Sequence, residues 1–133
     1  MCPLTDNQAG SPRRPPEVLV VDDFEVLREL ISHLLGSVHI QVLEASSGAE
    51  ALAVAAASER PPRILITDVH LPDLSCIELA AQLCLRCPGL QTLVISSDPS
   101  GALFARAIPG ATFLEKTFLA EFLAKRVQEM LRT

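Results

Sequence analysis

An α/β fold built on a doubly wound parallel sheet is what this sequence predicts, and three observations carry it. Short apolar runs of the kind expected for strands buried on both faces recur at Val18 to Val21, Ile64 to Thr67 and Thr92 to Ile95. Segments with helical spacing alternate with them, and such alternation implies right-handed crossovers onto one sheet. Side chains able to do chemistry stand where these runs end: Asp22 and Asp23, Asp68, Ser96, and Lys116 after a shorter fifth run. In open sheets of this kind ligands sit beyond the carboxyl ends of the strands.

Taken in order, the chain opens with sixteen residues that hold four of its ten prolines and no apolar periodicity, which predicts a disordered leader over 1–16 and one domain over 17–133. Val18 to Val21 is the first strand. From Glu25 to Leu35, Leu27, Leu30, Ile31 and Leu34 keep helical spacing, with Gly36 placed to end the helix in a left-handed cap. His39 to Glu44 alternates, Ile40 and Val42 to one side and Gln41 and Leu43 to the other, as an edge strand does. Ser47 and Glu50 have capping-box spacing before an alanine-rich helix that runs to about Ser58, and Pro61 and Pro62 close that unit.

Ile64 to Thr67 leads into Asp68, and Pro72 then bars regular structure from continuing. Ser75 to about Arg86 is helical, with Leu79, Leu83 and Cys87 in register, until Pro88 and Gly89 stop it. Thr92 to Ile95 runs into Ser96, Ser97 and Asp98. Between Pro99 and Pro109 there is room for only about two turns of helix, and GALFARAI shows no clear polar face. Thr112 to Leu114 is the fifth strand, and Phe118, Leu119, Phe122, Leu123, Val127 and Met130 mark a C-terminal amphipathic helix.

A chain of 133 residues can build one domain with a real core and is too short for two ordinary ones. Hydrophobic residues make up 49% and charged residues 20%, enough apolar surface for the bulk of it to fold. A net charge of −5 argues against direct nucleic-acid binding through a broad basic face, which must neutralise phosphates; the Arg13–Arg14 doublet reads as a solvated part of the leader. No apolar run reaches the length that crosses a bilayer and the N-terminus lacks the apolar core of a signal peptide, so the expectation is a cytoplasmic protein without membrane contact. Cys2, Cys76, Cys84 and Cys87 read as packing residues rather than a disulfide framework, and the Cys84–Cys87 C-x-x-C has no second pair to complete a zinc site.

Asp22, Asp23 and Asp68 would converge on a small volume, where ionised carboxylates repel one another unless a cation joins them. Oxygen-only ligands with room for water suit a hard divalent ion, and Mg²⁺ is the natural choice. Lys116 opposite them serves as a point charge for Asp68 or for an anion placed on it, and the Ser96 hydroxyl can hydrogen-bond the same anion. Carboxylate nucleophile, metal, hydroxyl and ammonium together describe phosphoryl transfer onto an aspartate. Singly, each has an ordinary explanation: an acidic turn, a serine cap, a solvated lysine. Their joint position at the ends of four strands singles them out.

This pattern resembles the receiver domain of two-component response regulators over about Glu17 to Leu131. The residues that carry the resemblance are the acidic pair in VLVVDDFEVL, the aspartate in ILITDVHLPD with a proline four positions on, the hydroxyl residue in LVISS and the lysine in FLEKTF. It implies a five-stranded parallel sheet in the flavodoxin-like order 2-1-3-4-5, with helices on both faces. It also implies that Asp68 is the phosphoacceptor, that Asp23, Asp68 and the backbone carbonyl of His70 ligate Mg²⁺, and that Asp22 supports the metal largely through water. Ser96 and Lys116 would contact the phosphoryl group, and Phe113 would be the aromatic that turns inward as the hydroxyl residue moves toward the phosphate. The donor would be a sensor histidine kinase or a histidine phosphotransfer protein. Output would pass through a changed face of the fourth helix, fifth strand and fifth helix to a downstream protein, or to a second copy in a homodimer.

Two positions and one spacing depart from the family pattern. Cys76 stands for its usual glycine, Thr117 for the proline after the lysine, and the spacing from Ser96 to Lys116 is shorter, the deficit falling on the fourth helix. His33 and His39 read as solvated, whereas the ring of His70 could border the phosphoryl pocket. Because no output domain follows Thr133, the expectation is a stand-alone receiver that signals by association, or one piece of something longer. No turnover beyond Mg²⁺-dependent self-phosphorylation and autodephosphorylation is expected. Two other readings stand beside it: a docking module that keeps the fold without phosphorylation, and a haloacid-dehalogenase-like phosphatase. The phosphatase reading lacks the second aspartate two residues past its nucleophile, where His70 stands, and any visible substrate-enclosing cap.

Overall fold

The computed structural model describes residues 17–132, so the expected disordered leader lies outside the described residues. Strands and helices alternate as β1 (Val18–Val21), α1 (Glu25–Gly36), β2 (Val42–Ala45), α2 (Gly48–Ala57), β3 (Ile64–Asp68), α3 (Cys76–Arg86), β4 (Gln91–Ser96), α4 (Gly101–Arg106), β5 (Thr112–Glu115) and α5 (Leu119–Leu131), with a 3-10 turn at Lys116–Phe118. The strands pair in parallel in the order β2-β1-β3-β4-β5, the expected doubly wound sheet.

Alternate residues of each inner strand feed two separate cores. Leu19, Val21, Leu65 and Val94 pack with Ala51, Leu79, Leu83 and Ala105 of α2, α3 and α4. Val18, Val20, Ile64, Ile66, Leu93 and Ile95 pack with Ile31 and Leu35 of α1 and with Leu119, Leu123 and Val127 of α5. Both faces of β1 are thus covered, which is why its sequence is apolar without a break. Each such fully buried leucine or isoleucine contributes about 1.5–3 kcal/mol relative to exposure.

Several local expectations are corrected. Gly36 is the last residue of α1 rather than a left-handed cap; the left-handed residue is His39, at φ 65°. His tolerates that conformation better than most residues, and the turn is held by Ile40 N–H donating to the Leu35 carbonyl at 3.0 Å. As a result β2 starts at Val42 and not at His39, although it is an edge strand as expected. The Ser47–Glu50 capping box is half formed: Ser47 Oγ accepts from Glu50 N–H at 3.1 Å, but the Glu50 carboxylate reaches the N–H of Ser46 instead. A complete capping box occurs at Ser75 and Glu78, ahead of α3. Leu30 of α1 and Phe122 of α5 belong to the exposed sides of their helices, Phe118 falls in the exposed turn before α5, and the rings of Phe118 and Phe122 lie 6.0 Å apart.

Among the described cysteines, Cys76 and Cys87 are buried, Cys84 is exposed, and all three are free thiols. Burial pushes the Cys76 thiol up to about 11, so it packs as an inert small residue at the start of α3. Among the described residues no helix is long and apolar enough to cross a membrane.

Candidate functional site

Strand register brings the expected polar residues to one end of the sheet. Val21 pairs with Thr67, so Asp22 and Asp68 leave β1 and β3 side by side. Asp68 pairs with Ile95, and Ser96 with Glu115, which puts Ser96 and Lys116 one step further along the same edge. Asp22 is fully buried; its Oδ1 accepts from the N–H of Phe24 at 2.9 Å, and its Oδ2 lies 3.0 Å from Lys116 Nζ. The same ammonium lies 3.4 Å from Asp68 Oδ1, which also accepts from the Val69 N–H at 2.8 Å. Burial pushes the Asp68 carboxyl above its usual range; Lys116 opposes that shift, the Asp22 charge adds to it, and burial wins.

Carboxylate oxygens of Asp22, Asp23 and Asp68 all lie within 4.8 Å of one another. Asp22 Oδ2 is buried beside the Lys116 ammonium but out of hydrogen-bond alignment with it, an oxygen that a cation or its water would satisfy. An all-carboxylate donor set, with Asp22 sealed in and Asp23 open to solvent, fits a hard divalent ion that keeps part of its hydration. The residues present therefore fit Mg²⁺. Ser96 is buried, and its Oγ accepts from the Asp98 N–H at 3.1 Å, which keeps the hydroxyl hydrogen for donation elsewhere.

Residues 18–128 match the family described as the response regulator receiver domain. The chain belongs to that family. Two relatives from Mycobacterium tuberculosis match at the sequence level: the probable transcriptional regulatory protein TcrX is 31% identical over 121 residues, covering 90% of this chain and 51% of its own length. The DNA-binding transcriptional activator DevR/DosR is 36% identical over 118 residues, covering 86% of this chain and 54% of its own. This receiver thus spans about half the length of the curated relatives it matches. Among solved structures, the receiver domain of NtrX from Brucella abortus superposes with a TM-score of 0.77 at 28% identity, covering 87% of this chain and 98% of that one. The chemotaxis protein CheY4 of Vibrio cholerae superposes with a TM-score of 0.76 at 26% identity, covering 88% and 99%.

The remaining expected residues are His70 and Phe113. His70 is exposed in the loop after β3, and its ring meets Phe104 of α4 edge-on with centroids 5.3 Å apart. Phe113, on β5, is half-buried against the α2–α3–α4 core, and its carbonyl accepts from Arg126 at 3.2 Å.

Two supports were not legible in the sequence. Arg28 Nη1 donates to the backbone carbonyl of Asp22 at 2.7 Å while its Nε lies 3.4 Å from Glu44 Oε1, so a side chain of α1 ties the end of β1 to β2. Asp73 reaches across from the loop after β3 to the first turn of α2, accepting from Gly48 N–H and Ala49 N–H at 2.8 Å each. Those two donors hold its carboxyl below the usual range, as expected for an anion at a helix N-terminus. The only local signal for the Asp73 contact was an acidic residue after a proline, and its partners lie 24 and 25 positions away.

Proposed function

We propose that this receiver accepts a phosphoryl group on Asp68 from a phosphohistidine, carried by a sensor histidine kinase or a histidine phosphotransfer protein of the cytoplasm, within a domain spanning 17–133. The observation that carries the reading is Lys116 Nζ, placed 3.0 Å from Asp22 and 3.4 Å from Asp68 at the edge of the three-carboxylate cluster. In the proposed step an oxygen of Asp68 bonds to phosphorus as the phosphorus–nitrogen bond of the donor breaks, and the electron pair stays on the departing imidazole. Lys116 turns from Asp68 to the phosphoryl oxygens, and Ser96 donates its hydroxyl hydrogen to one of them. Asp23, Asp68 and the His70 carbonyl would hold Mg²⁺ directly, with Asp22 assisting through water. When bound, the ion would offset the charge that builds on the phosphoryl oxygens.

Ser96 and Phe113 would pass the change to the α4–β5–α5 face, which binds a downstream protein or a second copy of the receiver. DevR/DosR is described as DNA-binding. The net charge of −5 supports a receiver that does not itself contact nucleic acid.

Incubation with Mg²⁺ and a small acyl-phosphate donor, followed by intact mass measurement, tests the reading. We expect a single acid-stable, base-labile phosphoryl adduct that Asp68→Asn abolishes. An adduct that survives in Asp68→Asn would place the acceptor elsewhere, and a wild-type protein that never gains one would favour a phosphorylation-independent docking module.

A further inference from the structure

We infer that Gly101 is a positioning residue of the phosphoryl site, the point of contact through which Ser96, the Phe113 ring and helix α4 are coupled; this rests on the proposed role of Ser96. The glycine is not there for backbone freedom, because the left-handed glycines are Gly89 and Gly110. Its reason is steric. A Cβ on Gly101 would lie 2.6 Å from Ser96 Cβ and 2.8 Å from Phe113 Cε1, closer than real Cβ atoms come, and a tight 3.1 Å from Ser96 Oγ. Helix, hydroxyl residue and aromatic ring therefore meet at one buried position with no side chain between them.

The turn that joins them is short and internally bonded. Asp98 N–H donates to Ser96 Oγ at 3.1 Å, Ser100 N–H to Asp98 Oδ1 at 2.9 Å, and Gly101 N–H to the Asp98 carbonyl at 2.9 Å. Any movement of Ser96 toward a phosphoryl group pulls on this turn and opens space beside Gly101. Protein interiors do not keep such voids, so the ring or the first turn of α4 must follow. A methyl group at Gly101 would occupy that space in advance, holding the ring off Ser96 and leaving it nothing to follow.

The chain contains no tryptophan and no tyrosine, so Phe113→Tyr installs a single fluorophore at the ring position. In that background we expect Gly101→Ala to raise iodide quenching of the introduced tyrosine by about threefold or more, even without donor, as the ring leaves its contact. In the otherwise wild-type chain, Gly101→Ala should lower the phosphorylated fraction at fixed donor by a similar factor, and adding Phe113→Leu should restore it by making room for the methyl. Gly36→Ala, where nothing lies within 4 Å of the added carbon, is the control expected to change neither readout. Unchanged quenching in Gly101→Ala overturns the inference, as does a loss of uptake that Phe113→Leu fails to rescue. If Gly101→Ala alone does not fold, folding of the double variant supports the steric contact, and its failure to fold counts against it. A wild-type protein that takes up no phosphoryl group would refute the receiver mechanism, while the quenching result would still decide the role of Gly101.

Discussion

Helices α3 and α4 pack on the same face of the sheet, yet the means that hold them differ. α3 runs eleven residues from a complete capping box, and its neighbour α2 is capped twice, by Ser47 and by the Asp73 carboxylate. α4 has six residues, an N-cap serine that makes no side-chain cap bond, and two buried residues, Gly101 and Ala105. So short a helix cannot sustain itself by its own hydrogen bonds, and it exists because its own Phe104 and Ala105, with Ile108 just beyond it, pack into the core shared with α2 and α3. The difference teaches that the loop following Asp68 is tied to α2 by the Asp73 carboxylate, while the element beside Ser96 and Phe113 is held by packing without a side-chain cap. On the proposed reading, an anchored receiving edge beside a helix with fewer ties is the division a switch needs.

The contrast can be broken or sharpened by substitution, beginning with the largest effect. Leu79→Ala in α3 removes a fully buried side chain and should cost about 2–5 kcal/mol, whereas Leu103→Ala in α4, at a position 61% exposed, should stay within about 0.5 kcal/mol. Urea denaturation compares the two directly, and equal losses would mean that α4 is as well anchored as α3. Ser75→Ala, which removes the capping-box oxygen, should cost about 1 kcal/mol, against almost nothing for Ser100→Ala.

A smaller effect concerns pH. Asp73 is held below its unfolded pKa by the N–H groups of Gly48 and Ala49, so its contribution is present above the ordinary carboxylate range and is lost as the pH falls through the lower folded value. Asp73→Asn should therefore lower the urea midpoint at neutral pH and flatten the part of the acid-induced decline due to this group. Parallel pH profiles for the variant and the wild type would contradict the clamp.

Much of the fold was legible because its signals are local. Uninterrupted runs such as Val18 to Val21 and Ile64 to Thr67 can be read without knowing their neighbours, and the polar residue that follows each run marks the ligand edge of the sheet. Within that edge, parallel register brings the strand ends that carry Asp22, Asp23, Asp68 and Lys116 to one side of the sheet, where the side chains meet. What escaped depends on partners distant in sequence or on rotation about a helix axis. Asp73 had no visible target, and nothing local marked Arg28 as the donor to the Asp22 carbonyl. Nothing local marked Gly101 as the residue that lies against Ser96 and Phe113. Phe122 of α5, and Phe118 in the turn before it, fit the expected apolar spacing but fall beside the buried stripe of Leu119, Leu123, Val127 and Met130, a rotation that composition cannot set.

Lys116 bridges two acids that would otherwise push each other apart. That drawing-together of like charges is accomplished during folding, so the cradle is organised ahead of its guest. On the proposed reading, an arriving ion would need to shed only part of its own water, and an arriving phosphoryl group would find the Lys116 ammonium already beside Asp68.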